Sequence, residues 1–177
     1  MSDTKILSTK TVYTSRYFKV LQKLIKRNGK TFTKDIIHRN ASVLIIPYVN
    51  NEIYIESNYR DALEKMNLEI VQGTIEEGDD PFETAKRELQ EEVGLTAKKW
   101  DKLAVWNLAG NMDITLHLFA ATDLEEGEQQ LDFEEDIEIQ KIPLEKILGK
   151  IENGEFTTAT HIAALLLFDK LRKEGKL

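Results

Sequence analysis

The feature that most constrains the fold of this chain is a helical segment, residues 81–93, that lies between strand-like segments and has two different faces. Asp80 can serve as its N-cap, Pro81 suits the first helical position, and Gly94 follows the last turn. At about 100° per residue, one face is apolar and another is acidic. The apolar face comprises Phe82, Ala85, Leu89 and Val93. The sequence therefore predicts a helix whose buried and acidic faces are distinct.

Strand and helix signals alternate along the rest of the chain. Runs of β-branched and aromatic residues predict strands at residues 11–22, 30–38, 42–48, 52–57, 68–71, 103–108, 113–122 and 136–142. Two further helices are predicted at 144–152 and 158–173. Asn28-Gly29 suits a tight hairpin turn. The pattern predicts an α/β fold, with an N-terminal antiparallel β extension over residues 1–40.

Composition argues against nucleic-acid binding, membrane spanning and cysteine chemistry. The net charge is −7, which disfavours a nucleic-acid partner, and the longest apolar runs fall far short of the ~20 residues of a membrane span. Without cysteine, there is no disulfide framework, thiolate metal site or cysteine nucleophile. We expect one domain with extensions, a cytoplasmic location, and no membrane or nucleic-acid partner.

The acidic face of the helix is a candidate metal site. Glu88, Glu91 and Glu92 stand at positions i, i+3 and i+4, where like charges weaken a helix. A hard divalent cation such as Mg²⁺ takes oxygen ligands from a few carboxylates, substrate phosphates and water. Arg87 could brace Glu91 or Glu83. The alternative is a solvated surface rich in glutamate.

The segment around this helix resembles the box of the Nudix hydrolases. Gly73 is followed, at the family's spacing, by Arg87-Glu88-Leu89, Glu91-Glu92 and Gly94-Leu95. The intermediate glutamate of the family pattern is Asp79 here, so we leave that residue out of the metal site. The resemblance implies a Nudix-type α/β/α sandwich with a mixed sheet over residues 41–177, with the box at 73–95.

This resemblance also implies a reaction and a set of roles. Nudix hydrolases use Mg²⁺ or Mn²⁺ to hydrolyse nucleoside diphosphates linked to another moiety. The implied metal ligands are the backbone carbonyl of Gln72 and the carboxylates of Glu88, Glu91 and Glu92. Arg87 would orient carboxylates, and Gly73 would permit a close approach of the backbone to metal or phosphate.

Further motifs are similar to those of the ADP-ribose and nucleotide-sugar pyrophosphatases. Tyr59-Arg60 and the segment Glu69-Ile70-Val71-Gln72-Gly73 resemble that group, although Val71-Gln72 replaces its usual Pro-Ala. The resemblance implies a nucleotide-sugar substrate and a homodimer in which the N-terminal sheet is exchanged. A guanidinium can bind phosphate bidentately, so Arg60 could contact phosphate or form a surface salt bridge, and the resemblance favours the phosphate contact.

Several roles remain open on the sequence. Tyr17 and Phe18 could stack on a nucleobase across a dimer or simply pack. The acidic stretch 123–138 is predicted as a loop, and related enzymes place a glutamate from such a loop near the attacking water. Glu134 and Glu135 are the candidates for general base, and Asp132 or Asp136 stay possible.

Two other function classes compete with the enzyme. One is a catalytically idle sensor of Nudix fold that binds a nucleotide sugar, and the other is a structural acidic domain. The intact Arg87-Glu88 and Glu91-Glu92 pairs favour the enzyme. His38, His117 and His161 are far apart and form no metal spacing, so we expect ordinary structural roles for them.

Overall fold

The structure is a computed structural model that describes residues 3–131 and 136–177. Within these residues it contains ten strands and three helices. The strands are β1 (Thr4–Thr14), β2 (Lys19–Arg27), β3 (Lys30–His38), β4 (Ser42–Val49), β5 (Glu52–Arg60), β6 (Lys65–Glu69), β7 (Val71–Thr74), β8 (Leu95–Leu108), β9 (Met112–Glu126) and β10 (Ile137–Pro143). The helices are α1 (Pro81–Val93), α2 (Leu144–Glu152) and α3 (Ala159–Lys173).

The sheet is mixed, as predicted. Its main order is β1-β2-β3-β9-β4-β5-β10, with β6 paired to β5, β7 to β4 and β8 to β9. Strand β4 runs parallel to β9 and antiparallel to β7. Strand β4 lies between these partners, and its residues Val43, Leu44, Ile45 and Ile46 are fully buried. A continuous apolar run is expected for a strand that is covered on both faces.

Side-chain alternation along β4 divides the core into two layers. Leu44 and Ile46 pack in the cluster that includes residues of α2 and α3. Val43 and Ile45 pack in a second cluster with the apolar face of α1. Helices therefore cover both faces of the central sheet, which confirms the predicted α/β/α sandwich.

Local signals define α1 as predicted. The side chain of Asp80 accepts hydrogen bonds from the backbone N–H of Phe82 at 2.8 Å and of Glu83 at 3.1 Å. At the other end, Gly94 has a φ of 71° and its N–H donates to the carbonyl of Gln90. This left-handed conformation favours glycine and closes the last turn.

Some strand boundaries differ from the sequence prediction. The predicted strand at 11–22 is interrupted because the hydroxyl of Ser15 accepts hydrogen bonds from the N–H groups of Tyr17 and Phe18, forming a turn. Strand β8 starts at Leu95 rather than at residue 103, and β9 continues to Glu126, because these polar stretches pair with each other. Backbone hydrogen bonds between the two strands stabilise these stretches. Because few of their side chains are buried, the sequence shows no hydrophobic pattern there.

The N-terminal sheet is exposed. Every residue of β1 is exposed, including Ile6, Leu7 and Tyr13. Strand β3 joins the central sheet through a short parallel pairing of Ile37 and His38 with β9. The division of the chain between residues 40 and 41 stays a prediction. Within residues 3–131 and 136–177, none of the helices has the length and apolar character needed to cross a membrane.

Candidate active site

A cleft of about 400 Å³ lies along the acidic face of α1, beside β7 and the residues that follow it. It brings together seven of the eleven predicted site residues. These are Tyr17, Gln72, Gly73, Arg87, Glu88, Glu91 and Glu92. Residues far apart in the chain meet here because β7 and α1 both pack against β4.

Two carboxylates of this cleft are buried. Glu88 is 9% and Glu92 6% exposed, whereas the side chain of Glu91 is 40% exposed. A one-turn spacing places Glu88 and Glu92 on the same line along α1. Burying a carboxylate is costly unless it finds charged or hydrogen-bonding partners, so this pair is unusual for a merely structural helix.

Arg87 holds two of the glutamates. Its guanidinium lies 2.8 Å from Oε1 of Glu88 and 2.8 Å from Oε2 of Glu91. Burial opposes the charge of Arg87, but the carboxylates of Glu88 and Glu91 outweigh it and raise its pKa. Glu83, the other suggested partner of Arg87, pairs with Lys86 instead.

Gly73 leaves the space in which the Glu88 side chain lies. A Cβ at residue 73 would stand 2.0 Å from Cγ and 2.1 Å from Cδ of Glu88. These separations are far shorter than the 3.5–4.0 Å of ordinary carbon contacts. The glycine is therefore required for the observed position of the Glu88 carboxylate.

The segment before Gly73 is anchored by a buried histidine. The N–H of Ile70 donates to Nδ1 of His161 at 3.2 Å, and Nε2 of His161 lies 2.9 Å from Oε1 of Gln72. Since Nδ1 accepts, the proton of the neutral ring is on Nε2 and is donated to Gln72. Burial lowers the pKa of His161 to about 4, which keeps the ring neutral.

Arg60 is paired with a buried carboxylate. Its Nε donates to Oε1 of Glu69 at 2.8 Å, and its Nη2 donates to Oε2 at 2.5 Å. This hydrogen bonding raises the pKa of Arg60. Burial opposes ionisation of Glu69, but Arg60 and Asn67 outweigh it and hold the pKa of Glu69 below its ordinary value. The guanidinium side chain remains 41% exposed, and its contact with phosphate stays a prediction.

Tyr17 and Phe18 occupy different environments. Tyr17 is 62% exposed and lines the acidic cleft. Phe18 is half-buried and packs against Tyr13, with ring centroids 5.6 Å apart. The Arg16 guanidinium lies over the exposed Tyr17 ring, 5.4 Å from its centroid, whereas the Phe18 ring contacts another aromatic side chain.

The proposed general bases Glu134 and Glu135, together with Asp132, lie outside the described residues. The residues that precede them are attached to the end of α1. The N–H of Gln130 donates to the carbonyl of Glu91 at 2.9 Å, and the side-chain amide of Gln129 donates to the carbonyl of Glu92 at 2.6 Å. These bonds satisfy carbonyls that the helix itself leaves free. The choice of general base stays a prediction.

The donor set fits a hard divalent cation. Carboxylate and carbonyl oxygens are the protein ligands that Mg²⁺ prefers, and the cleft offers Glu88, Glu91, Glu92 and the backbone of Gln72. Over the described part of the chain, no three acidic or histidine side chains already converge as a formed metal centre. Arg87 engages two of the carboxylates, so metal binding would involve their rearrangement.

The chain is similar to known proteins of one family. The NUDIX domain family model matches residues 38–164. The chain is 34% identical over 132 residues to an ADP-ribose pyrophosphatase of Bacillus subtilis (strain 168), covering 72% of this chain and 71% of that protein. It is 30% identical over 166 residues to a methanol dehydrogenase activator of Bacillus methanolicus, covering 91% and 90%.

A solved structure is similar over almost the whole chain. The crystal structure of an ADP compounds hydrolase superposes with a TM-score of 0.86 at 27% sequence identity, covering 98% of this chain and 97% of that one. The match spans both the N-terminal sheet and the sandwich. Because the family model covers well over half of the chain, the protein belongs to the Nudix family and is a Nudix hydrolase.

Proposed function

We propose that this Nudix hydrolase cleaves the pyrophosphate bond of ADP-ribose or a nucleotide sugar, releasing a nucleoside monophosphate and a sugar phosphate. The observation that carries the proposal is that the acidic cleft adjoins a pocket lined by cationic side chains. The two share Tyr17, Thr74 and Glu76. The names of the ADP-ribose pyrophosphatase and the ADP compounds hydrolase agree with this substrate class.

The adjoining pocket suits the phosphates and the base of such a substrate. Its volume is about 410 Å³, and its lining includes Arg16, Lys19 and Arg39. Cations gathered at one place in a chain of net charge −7 favour an anionic ligand. The exposed ring of Tyr17 offers a surface on which a base could stack. A metal-bound diphosphate would thus lie between the carboxylates of the acidic cleft and the cationic side chains of the adjoining pocket.

The chain's own residues would prepare the reaction as follows. Glu88, Glu91, Glu92 and the carbonyl of Gln72 would hold Mg²⁺, with Mn²⁺ as a substitute. When bound, this cation neutralises charge on the diphosphate and lowers the pKa of the attacking water. Arg87 orients the carboxylates, as its contacts with Glu88 and Glu91 suggest. A carboxylate between residues 132 and 136, with Glu134 or Glu135 as first candidates, would take the proton of the water that attacks phosphorus.

A substrate panel with Mg²⁺ tests the proposal. The panel comprises ADP-ribose, UDP-glucose, GDP-mannose, dinucleoside polyphosphates and nucleoside triphosphates. We expect the highest kcat/KM for ADP-ribose or a nucleotide sugar, with monophosphate products. Faster turnover of triphosphates would contradict the substrate class. Binding of a nucleotide sugar without turnover would instead identify a sensor, and neither binding nor turnover would indicate a structural domain.

We also propose a homodimer formed through the N-terminal sheet. Exposed apolar residues on β1, including Ile6, Leu7 and Tyr13, leave this short sheet with little of its own core. A sheet of so few strands is marginal unless it packs on something, and a second copy is the commonest partner. In the dimer, the hairpin of one protomer would help to build the partner's substrate site.

Replacing Leu7 and Tyr13 together by Asp is expected to yield a monomer with at least about tenfold lower kcat/KM, because charge disfavours burial in an interface. Light scattering and steady-state kinetics measure the two effects. Leu166→Asp, which makes the same change at a similarly exposed leucine of helix α3, is the matched control and should remain dimeric. A fully active monomer would show that the site is complete without the second copy.

Arg60→Lys is expected to lower kcat/KM by about ten- to a hundredfold, because it keeps the charge but loses the planar fork. The Mn²⁺ affinity of the free enzyme should hardly change. Glu69→Gln is the comparison, since it disturbs the observed pair while keeping the Arg60 guanidinium. If Arg60→Lys leaves the kinetics unaltered, or weakens metal binding as much as catalysis, Arg60 is a structural residue whose role is the ion pair with Glu69.

A further inference from the structure

His161 connects helix α3 to the strand that enters the active site. It is completely buried, and its two ring nitrogens bond to residues on either side of Val71. Nδ1 accepts from the Ile70 N–H, and Nε2–H donates to the Gln72 side chain. His161 is separated from these partners by 91 and 89 positions, so the fold alone brings them together.

The anchored segment leads directly into the acidic cleft. Gln72 lines that cleft, and Gly73 makes the close approach to the Glu88 side chain. A shift of this segment toward α1 would close the space at Gly73, and a shift away would withdraw the Gln72 backbone. Both ring nitrogens of His161 therefore bond to this short segment, and the bond from Nε2 is made to the residue that lines the cleft.

We propose that His161 is a positioning residue for metal binding, and that its hydrogen bond to the Gln72 side chain fixes the backbone that supplies the Gln72 carbonyl. This inference rests on the metal role assigned to that carbonyl in the proposed function. Gln72 stands where related pyrophosphatases usually have Ala, whose side chain has no atom that could accept this bond. The proposed positioning therefore depends on Gln72, a residue that distinguishes this chain from the pattern of its group.

A purely structural role for His161 would also account for its burial. The N–H of Ile70 needs an acceptor in the core, and His161 supplies one. The two bonds can be separated by substitution, because the Asn amide reaches approximately the position of Nδ1 and the Gln amide approximately that of Nε2. His161→Asn can thus retain the bond to Ile70, and His161→Gln can retain the bond to Gln72.

The test measures Mn²⁺ affinity of the free enzyme by electron paramagnetic resonance, with the Tm recorded in the absence of metal. We expect His161→Asn to weaken Mn²⁺ binding about tenfold, the lower end of the usual effect of losing a group that orients a metal ligand. His161→Gln should keep Mn²⁺ affinity within about twofold while lowering the Tm, because the Ile70 N–H loses its acceptor.

Gln72→Leu provides the second arm, because it removes the side-chain acceptor and leaves the backbone carbonyl in place. It should weaken Mn²⁺ binding as much as His161→Asn, and the double variant should be no worse than either single one. Lower Tm values with unchanged Mn²⁺ affinity in both His161→Asn and Gln72→Leu would overturn the proposal. Additive losses in the double variant would overturn it too.

The outcome is independent of the substrate assignment. If the wild-type protein hydrolyses none of the panel while His161→Asn and Gln72→Leu still weaken Mn²⁺ binding, the positioning role stands and the proposed reaction fails. If the panel reaction proceeds normally in His161→Asn and Gln72→Leu with unchanged Mn²⁺ affinity, the proposed function stands and the role of His161 fails.

Discussion

Glu92→Gln is expected to lower kcat at saturating Mg²⁺ by at least about a hundredfold, because metal-ion catalysis supplies several kcal/mol of charge stabilisation. The substitution removes a ligand charge from a side chain that is only 6% exposed, but it keeps nearly the same shape. The fold should remain intact. Without metal, the Tm should hold or rise slightly, because repulsion with the neighbouring glutamates Glu88 and Glu91 decreases.

Glu83→Gln is the matched control for this prediction. It makes the same chemical change on the same helix, at a residue that is paired with Lys86 and does not line the acidic cleft. Its kcat should stay close to the wild-type value. Near wild-type turnover of Glu92→Gln at saturating Mg²⁺ would remove Glu92 from the set of metal ligands, whatever the effect on Tm.

Local signals explain why much of the fold could be predicted. Helix α1 begins and ends at the predicted residues because its N-cap, first-turn proline and closing glycine act within the helix itself. Helix α2 also spans the predicted residues 144–152. The early start of β8 at Leu95 could not be predicted in this way, because its pairing with β9 brings residues 95–102 into a ladder without burying most of them.

In the site, too, local contacts could be predicted from the sequence and long-range contacts could not. The contact between Arg87 and Glu91 follows from an i, i+4 spacing, so the sequence alone could suggest it. The contact between His161 and Gln72 spans 89 positions, and an isolated histidine in an apolar helix gives no sign of its partner. We expected an ordinary structural role for His161. Its hydrogen bonds connect it to Ile70 and to Gln72, which lines the cleft, and only the tertiary packing of α3 could bring these residues together.

Arg60 illustrates a further limit of sequence reasoning. Its motif suggested a phosphate contact, but the nearest described partner is Glu69, on the neighbouring strand β6. A bidentate guanidinium serves a carboxylate as well as a phosphate, so residue type cannot distinguish the two ligands. The functional assignment of Arg60 therefore depends on kinetics, whereas that of Gly73 can be argued from distances.

Gly73→Ala is expected to lower kcat/KM by at least about a hundredfold and to weaken Mn²⁺ binding, because it forces a metal ligand out of place. The new Cβ would stand 2.0 Å from Cγ of Glu88. Because Cγ is only two bonds from the backbone Cα, a small movement of the carboxylate cannot relieve the clash. The Glu88 side chain must turn away, which also breaks its 2.8 Å contact with Arg87. Overpacking of this kind should reduce the free energy of unfolding by about 1–3 kcal/mol.

Two further variants separate loss of the ligand from general damage to the fold. Gly149→Ala adds the same methyl group on helix α2, where a Cβ meets nothing within 4 Å, and should leave activity unchanged. Adding Glu88→Ala to Gly73→Ala removes the clashing atoms, so the Tm should recover while Mn²⁺ binding and kcat/KM stay low. Calorimetry, Mn²⁺ titration and steady-state kinetics measure these effects. If Gly73→Ala keeps wild-type Mn²⁺ affinity and turnover, the Glu88 carboxylate does not need its observed position, and its role as a metal ligand is wrong.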